Sequence, residues 1–392
     1  MAKFRQQNRY HSMTLPVMKM RPGDQHFSAS PEKSFTIPAR YYHDVDIYQK
    51  EKSAVFYKSW WFVGHTSQVA KAGEYMTTKV HDQNVFVIRS REGEINGFYN
   101  VCQHRGHALV SGSGRSNIIV CPYHAWAYGH NGELKSARNT EEMAGFRKCD
   151  FALKPVRVEI FCSMIFVNLD PDAVPLCEQT VDLESEIRHY CPRIDDLVFS
   201  QRDTYHVESN WKVLVDNFLE CYHCDPAHKD FVDLVDMNSY RTITRGIYSS
   251  QCSGKARTTD NSAFKFKPGD VDFGYAGWFL WPNLTIWVYP GEPNISTLQM
   301  IPNGAVNTIE YQDWFTLNPE PTPQLAEAMA YQKDVLQPED VALCESVQQG
   351  LHSRGYNQGR FVTDNGLTEL SEHAVHHFQK LYVETMEAPI ID

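Results

Sequence analysis

Cys102-Gln103-His104-Arg105-Gly106-His107 and, after sixteen residues beyond His104, Cys121-Pro122-Tyr123-His124 carry the reading of this 392-residue chain. Each stretch sets a thiol and an imidazole with one or two residues between them. Around them lie short alternating segments at 85–89, 98–101 and 118–121, with glycine turns at 91–97 and 131–132. That texture predicts a small β domain ending near Asn168. Two Cys-His pairs on adjacent tight turns of such a domain can present four ligands to one compact inorganic centre.

Two chemistries accept that donor set. A tetrahedral zinc ion takes two thiolates and two imidazoles. A Rieske-type [2Fe–2S] cluster takes the same four, two Cys on one iron and two His on the other. The Cys-x-His and Cys-x-x-His spacings favour the cluster, because structural zinc sites more often use Cys-x-x-Cys and His-x3-His. Arg105-Gly106 and Ser111-Gly112-Ser113-Gly114 suit loops whose amides approach sulfur.

Working outward, 37 basic against 48 acidic residues leave a net charge of −11, which repels phosphate backbones and argues against a nucleic-acid partner. No apolar run approaches the ~20 residues of a membrane span, and Met1–Phe27 has no apolar stretch of a secretory signal, so the expected location is the cytoplasm. There the ten cysteines read as metal ligands or buried thiols rather than disulfides. Residues 1–34 read as a mobile polar arm, and 43–61 carry a helical pattern expected to pack on a larger body. Beyond an acidic connector around 171–186, a helix from Trp211 is expected to run until Pro226 interrupts it. Strands follow within 240–316, then a helix capped by Thr322 with Pro323 in its first turn and ending near Gln337, another starting at Pro338 with Val341, Cys344, Val347 and Leu351 on one stripe, and a last one over 370–386. The fold class is α+β in two unequal domains.

The second constellation is Glu220-Cys221-Tyr222-His223-Cys224-Asp225-Pro226-Ala227-His228. Five residues is not a face-sharing step on a helix, so the two histidines converge only if Pro226 turns the chain back. Two imidazoles and one carboxylate form the three-ligand face that leaves open positions on Fe(II). Asp340 is the chosen carboxylate, with Glu339 and Glu345 as rivals. Asp216, Glu220 and His223 fall on one helical face, where Glu220 could orient a metal-bound imidazole or merely be solvated. Cys221-x-x-Cys224 lacks the βαβ context of a redox motif and reads as buried thiols, and His373, His376 and His377 read as surface or packing residues.

A cluster-binding domain followed by a His-x4-His segment, with an acidic residue three before the first His, resembles the Rieske non-heme iron oxygenases. Within them, residues 216–228, 338–351 and Ser353-Arg354-Gly355-Tyr356 are similar to the quaternary-ammonium group. The resemblance implies a Rieske domain over 65–168 and, over 169–392, a helix-grip catalytic domain with an antiparallel sheet, preceded by the packing helix at 35–64. It implies that Cys102, His104, Cys121 and His124 hold the [2Fe–2S] cluster, and that His223, His228 and Asp340 hold mononuclear Fe(II). Glu220 stands where most of the wider family has Asp. By resemblance, electrons pass from His124 of one subunit through Glu220 of the next to its His223, in a homotrimer.

No Gly-x-Gly-x-x-Gly fingerprint is present, so electrons are expected from a partner, an NAD(P)H-dependent flavin and iron–sulfur reductase. The expected reaction uses O2 to hydroxylate a carbon next to a quaternary nitrogen, after which the C–N bond breaks. Carnitine, glycine betaine and stachydrine are the candidate substrates, with arene hydroxylation as the alternative within the same chemistry and a zinc-stabilised binding module as the alternative outside it. A permanent cation is received by aromatic faces, for which Trp281 and Tyr289 are the candidates in the aromatic-rich stretch 278–289.

Overall fold

The computed structural model describes residues 21–254, 259–269, 271 and 274–387. Much of the arm expected over 1–34 lies outside them, but from Arg21 onward the expectation of mobility is corrected. Phe27 is buried and stacks on His376 with ring centroids 5.1 Å apart, and the N–H of Thr36 donates to Gly359 O at 3.1 Å. One well-placed apolar ring holds a polar segment down.

Helix α1 (Val45–Glu51) starts at Asp44, whose carboxylate accepts from the N–H groups of Asp46 and Ile47, and continues through a wider turn over Lys52–Phe56. The chain then enters a seven-stranded antiparallel sheet built from β1 (Trp61–His65), β2 (Glu74–Val80), β3 (Gln83–Arg89), β4 (Ile95–Tyr99), β5 (Ser113–Arg115), β9 (Pro155–Phe161) and β10 (Met164–Asn168), in the order β1-β10-β9-β4-β3-β2-β5. Three short strands, β6 (Ile119–Val120), β7 (Ala127–Tyr128) and β8 (Leu134–Ser136), form a small second sheet. The alternation along β3 explains how the two join. Val85 and Val87 pack into the main core, whereas Phe86 and Ile88 face a separate cluster with Cys102, Cys121 and Tyr128.

Helices α2 (Leu176–Gln179) and α3 (Leu183–Tyr190) lead to a second seven-stranded antiparallel sheet. Its strands are β11 (Val198–Val207), β12 (Arg241–Arg245), β13 (Tyr248–Cys252), β14 (Ala276–Leu280), β15 (Leu284–Val288), β16 (Asn294–Pro302) and β17 (Thr308–Thr316), in the order β11-β17-β16-β15-β14-β13-β12. Both faces are covered. Trp278, Ile286 and Phe315 pack against β10 and α3, while Leu298, Met300 and Trp314 pack toward α4 (Trp211–Phe218) and the C-terminal helices. Between α4 and β12 lie two short helices, α5 (Cys224–Ala227) and α6 (Lys229–Leu234).

Thr322 caps α7 (Pro323–Tyr331) by accepting from the N–H of Leu325. The break expected at Pro338 is absent. A wide turn over Gln332–Leu336, closed by Gln337 N–H donating back to Gln332 O, carries the chain straight into α8 (Gln337–Leu351), and this looser winding accommodates the Pro338 ring. Of the predicted stripe, Cys344 and Leu351 are buried and Val347 is half exposed. Helix α9 (His373–Glu387) closes the fold, its three histidines bound to the carbonyls of Thr242, Ser28 and Gly246 as packing groups. Among the described residues no helix is long and apolar enough to cross a membrane.

Candidate active site

The two Cys-His loops share one backbone design. In the first, Cys102 N donates to His107 O at 2.8 Å and Gly106 N to Cys102 O at 3.0 Å; in the second, Cys121 N donates to Trp126 O at 2.8 Å and Ala125 N to Cys121 O at 2.9 Å. The matching residues Gly106 (φ +71°) and Ala125 (φ +60°) are both left-handed, which lets each loop double back on its cysteine. Cys102 and Cys121 are buried, while the rings of His104 and His124 lie 4.6 Å apart toward the surface, His104 stacked on Trp126 at 4.8 Å. Tyr128 Oη sits 3.3 Å from Cys102 Sγ and accepts from Gln103 N at 3.1 Å. Burial raises the Cys102 thiol above its ordinary pKa, and the adjoining Cys121 thiol adds to the rise against the Tyr128 hydroxyl.

Two thiols inside and two imidazoles outside suit a diiron cluster, whose metal charge ionises sulfurs that burial otherwise keeps protonated. A single tetrahedral ion fits less well. Its ligand atoms sit about 3.3–3.8 Å apart. Among the described residues, the trio whose donor atoms all fall within 4.8 Å of one another is instead His223, His228 and Asp340.

That trio forms where α4 ends early. The helix expected to reach Pro226 stops at Phe218, so Glu220 and His223 do not share a helical face. Glu220 takes the N–H of His223 at 3.1 Å and its Nδ1 at 2.5 Å, and this side-chain bonding replaces the helical ladder. Pro226 lies inside α5 rather than at a break, and His228 follows it directly. The expectation of free thiols at Cys221 and Cys224 is also corrected. The turn brings their Cα atoms to 4.9 Å, within disulfide range, and they are bonded.

His223 Nε2 and His228 Nε2 lie 3.1 Å apart, with Asp340 Oδ1 2.9 Å from His228 Nε2 and 3.5 Å from His223 Nε2. A circle through the three atoms has a radius of about 1.8 Å, inside the ~2.0–2.2 Å reach of imidazole nitrogen and carboxylate oxygen to a divalent ion, so the donor set fits a metal. Of the rival carboxylates, Glu339 lies behind His228, 2.8 Å from its Nδ1, and Glu345 accepts from Glu208 N elsewhere. Each histidine thus has a carboxylate on its far nitrogen, which fixes the tautomer that leaves Nε2 for a metal. Glu339 in that role escaped the sequence reading, since no spacing distinguishes it from its neighbour. Burial lowers the His223 pKa, but Asp340 and Glu220 override it and lift it to about 10; burial alone would raise Asp340, which the two imidazoles hold at about 2.

A cavity opens from the trio across the inner face of the second sheet. Its walls include Phe218 and Trp287, stacked at 5.7 Å, with Tyr275 and Tyr289 beyond. Tyr289 Oη donates to Gln332 Oε1 at 2.5 Å. Trp281 does not line it, and that expectation is corrected: its indole donates to Ser59 Oγ at 3.0 Å and packs beside Phe378, in a separate hollow. The sequence reading also missed Glu310, a cavity-lining carboxylate buried mid-strand in β17.

A family described as "Rieske [2Fe-2S] domain" matches residues 59–148, and one described as "Ring hydroxylating alpha subunit (catalytic domain)" matches 194–388. The carnitine monooxygenase oxygenase subunit of Escherichia coli (strain K12) is 39% identical over 365 residues, covering 93% of this chain and 97% of the relative. The chloroplastic choline monooxygenase of Atriplex hortensis is 31% identical over 357 residues, covering 88% and 77%. Among solved structures, a quaternary ammonium Rieske monooxygenase described in connection with carnitine oxidation by gut microbiota and inter-subunit electron transfer superposes with a TM-score of 0.85 at 35% identity, covering 92% of this chain and 97% of that one.

Proposed function

The chain belongs to the Rieske non-heme iron oxygenases, as a monooxygenase that carries a [2Fe–2S] cluster and a mononuclear iron, and from that premise we propose the reaction it performs. It is the oxygenase component of a two-component system that hydroxylates a carbon next to the nitrogen of a quaternary ammonium compound of the carnitine, glycine betaine or stachydrine kind, so that a C–N bond is cleaved. Its electrons come from an NAD(P)H-dependent flavin and iron–sulfur reductase. In this reading Cys102, His104, Cys121 and His124 hold the cluster, and His223, His228 and Asp340 hold the mononuclear iron.

When bound, the cluster supplies single electrons and the mononuclear iron activates dioxygen. The protein's own part is positioning. Glu220 and Glu339 hold the two imidazoles by their outer nitrogens. The rings of Phe218, Trp287 and Tyr289 offer faces to a trimethylammonium group that cannot accept or donate a hydrogen bond. Stacking of Phe218 on Trp287 keeps those faces pre-arranged, so that little ordering is needed when substrate enters.

The observation that carries this reading is the His223–His228–Asp340 trio at the end of an aromatic cavity. The test is O2 uptake by the purified protein with a reductase of this system and NAD(P)H, across carnitine, glycine betaine, stachydrine, choline and naphthalene, with product mass determined. Uptake coupled to amine release or demethylation of one of the cations is expected. Coupled turnover of naphthalene alone overturns the reading.

The working assembly in this reading is a homotrimer in which His124 of one copy meets Glu220 of the next. Exposed Leu343, Val347 and Tyr356 border a hollow that Glu220 and His223 also line, which suits a docking face, and the relative's inter-subunit electron transfer supports it. Co-expression of two inactive variants, His124→Ala and Glu220→Ala, is expected to restore part of the activity; mixed oligomers with none overturn this arrangement.

A further inference from the structure

Three carboxylates line the aromatic cavity: Glu220, Asp340 and Glu310. Two have partners of their own kind. Glu220 is bound to His223, and Asp340 to both histidines. Glu310 is different. It sits on β17, cross-strand from Met300 and Tyr205, is 1% exposed, and among the described residues meets one hydrogen-bond donor, the neutral amide of Gln337, whose Nε2 donates to Oε2 at 2.6 Å. A charge in the middle of a buried sheet face, opposed by an amide and bordered by Leu298, Met300 and Leu336, is expensive without a cation nearby. Burial, with the Asp340 charge adding to it, pushes its pKa up to about 8, so at neutral pH the carboxyl ionises when a cation comes beside it. The sheet positions beside it on the same face are apolar (Leu298, Met300, Trp314) or polar but uncharged (Thr308, Gln312), so none of them calls for an acid there.

We propose that Glu310 is the counter-charge for the substrate's quaternary nitrogen and the residue that makes this cavity select a cation over a neutral molecule of the same shape. The inference rests on the quaternary-ammonium reading and deepens it. Aromatic faces bind a tert-butyl group almost as readily as a trimethylammonium group by area alone, whereas a carboxylate at low dielectric discriminates by charge. Glu310 touches neither histidine and is a specificity residue rather than a ligand.

The test is calorimetric binding to the iron-loaded protein without oxygen. Choline is paired with 3,3-dimethyl-1-butanol, and carnitine with 3-hydroxy-5,5-dimethylhexanoate, each isostere carrying carbon in place of nitrogen. The wild type is expected to prefer at least one cation by about tenfold or more. Glu310→Gln and Glu310→Met should lose most of that preference through weaker cation binding while isostere affinity stays within about twofold, and Glu310→Asp should keep it. Iron content and thermal unfolding establish which variants fold, and either uncharged one suffices. An uncharged variant with the wild-type preference, or equal loss in Glu310→Asp, overturns the inference while leaving the quaternary-ammonium reading standing. A wild type that prefers no cation overturns both.

Discussion

Glu220 reaches His223 twice, once through the backbone N–H and once through the ring, so its loss acts on a position rather than on metal affinity alone. Glu220→Ala is expected to retain both iron centres, read as three irons per chain with acid-labile sulfide, yet to fall at least about tenfold in turnover. Full activity would show that the contact is incidental. His65 makes a prediction of another kind. It is buried, stacks on Phe315 at 4.9 Å, and its Nδ1 accepts from Ser67 N at 3.2 Å, so the neutral ring is built into the fold. Burial lowers its pKa from 6.5 to about 4. A base with a depressed folded pKa contributes stability above its unfolded value and loses it as pH falls through the window from 6.5 to about 4, by up to about 3 kcal/mol. Urea unfolding at pH 7.5 and 4.5 should therefore show a smaller acid loss in His65→Gln than in the wild type. Residue types at this scale were legible: the Cys-His pairs and His223, His228 and Asp340 are visible as chemistry. Asp340 was chosen over its rivals, but that Glu339 would back His228 from its Nδ1 was not legible, because carboxylates on one helix are separated by rotation, not by type.

At the scale of elements, the two Cys-His loops take the same shape because a left-handed residue follows each Cys at the same step. Gly106 adopts it freely and Ala125 at a cost. Ala125→Val adds a β-branched side chain there and is expected to destabilise the loop by about 2 kcal/mol, seen as faster loss of the cluster's visible absorption on heating, whereas Ala125→Gly should hold or gain. Short alternation revealed β3, β-rich runs revealed β15 and β17, and Thr322-Pro323 revealed the start of α7, since these signals are local. Local rules failed at the end of α4 and at Pro338. In the first, a carboxylate three residues away captured a backbone N–H; in the second, a wide turn absorbed the proline.

Across the whole molecule, Glu51 at the end of α1 binds Lys212 Nζ at 2.5 Å and Trp211 Nε1 at 2.9 Å on α4, and Tyr382 Oη at 2.7 Å on α9. Both charges are fully buried, so the pair ties α1, α4 and α9 together. Removing one partner leaves the other charge uncompensated: Glu51→Gln is expected to cost about 3–5 kcal/mol in urea unfolding, and Glu51→Leu with Lys212→Leu to cost less than the two single changes added. By itself the sequence determined the α+β class, the two Cys-His loops and the residue types in each proposed ligand set, because ligand chemistry and strand patterning are properties of residue type and short spacing. Only the tertiary structure decided which histidine nitrogens face inward, that Asp340 rather than its neighbours meets them, that Trp281 turns away while Tyr289 faces the cavity, and that Glu310 lies in it. Those outcomes depend on packing between segments 43 to 222 residues apart, where the direction of a side chain is set by what lies against it.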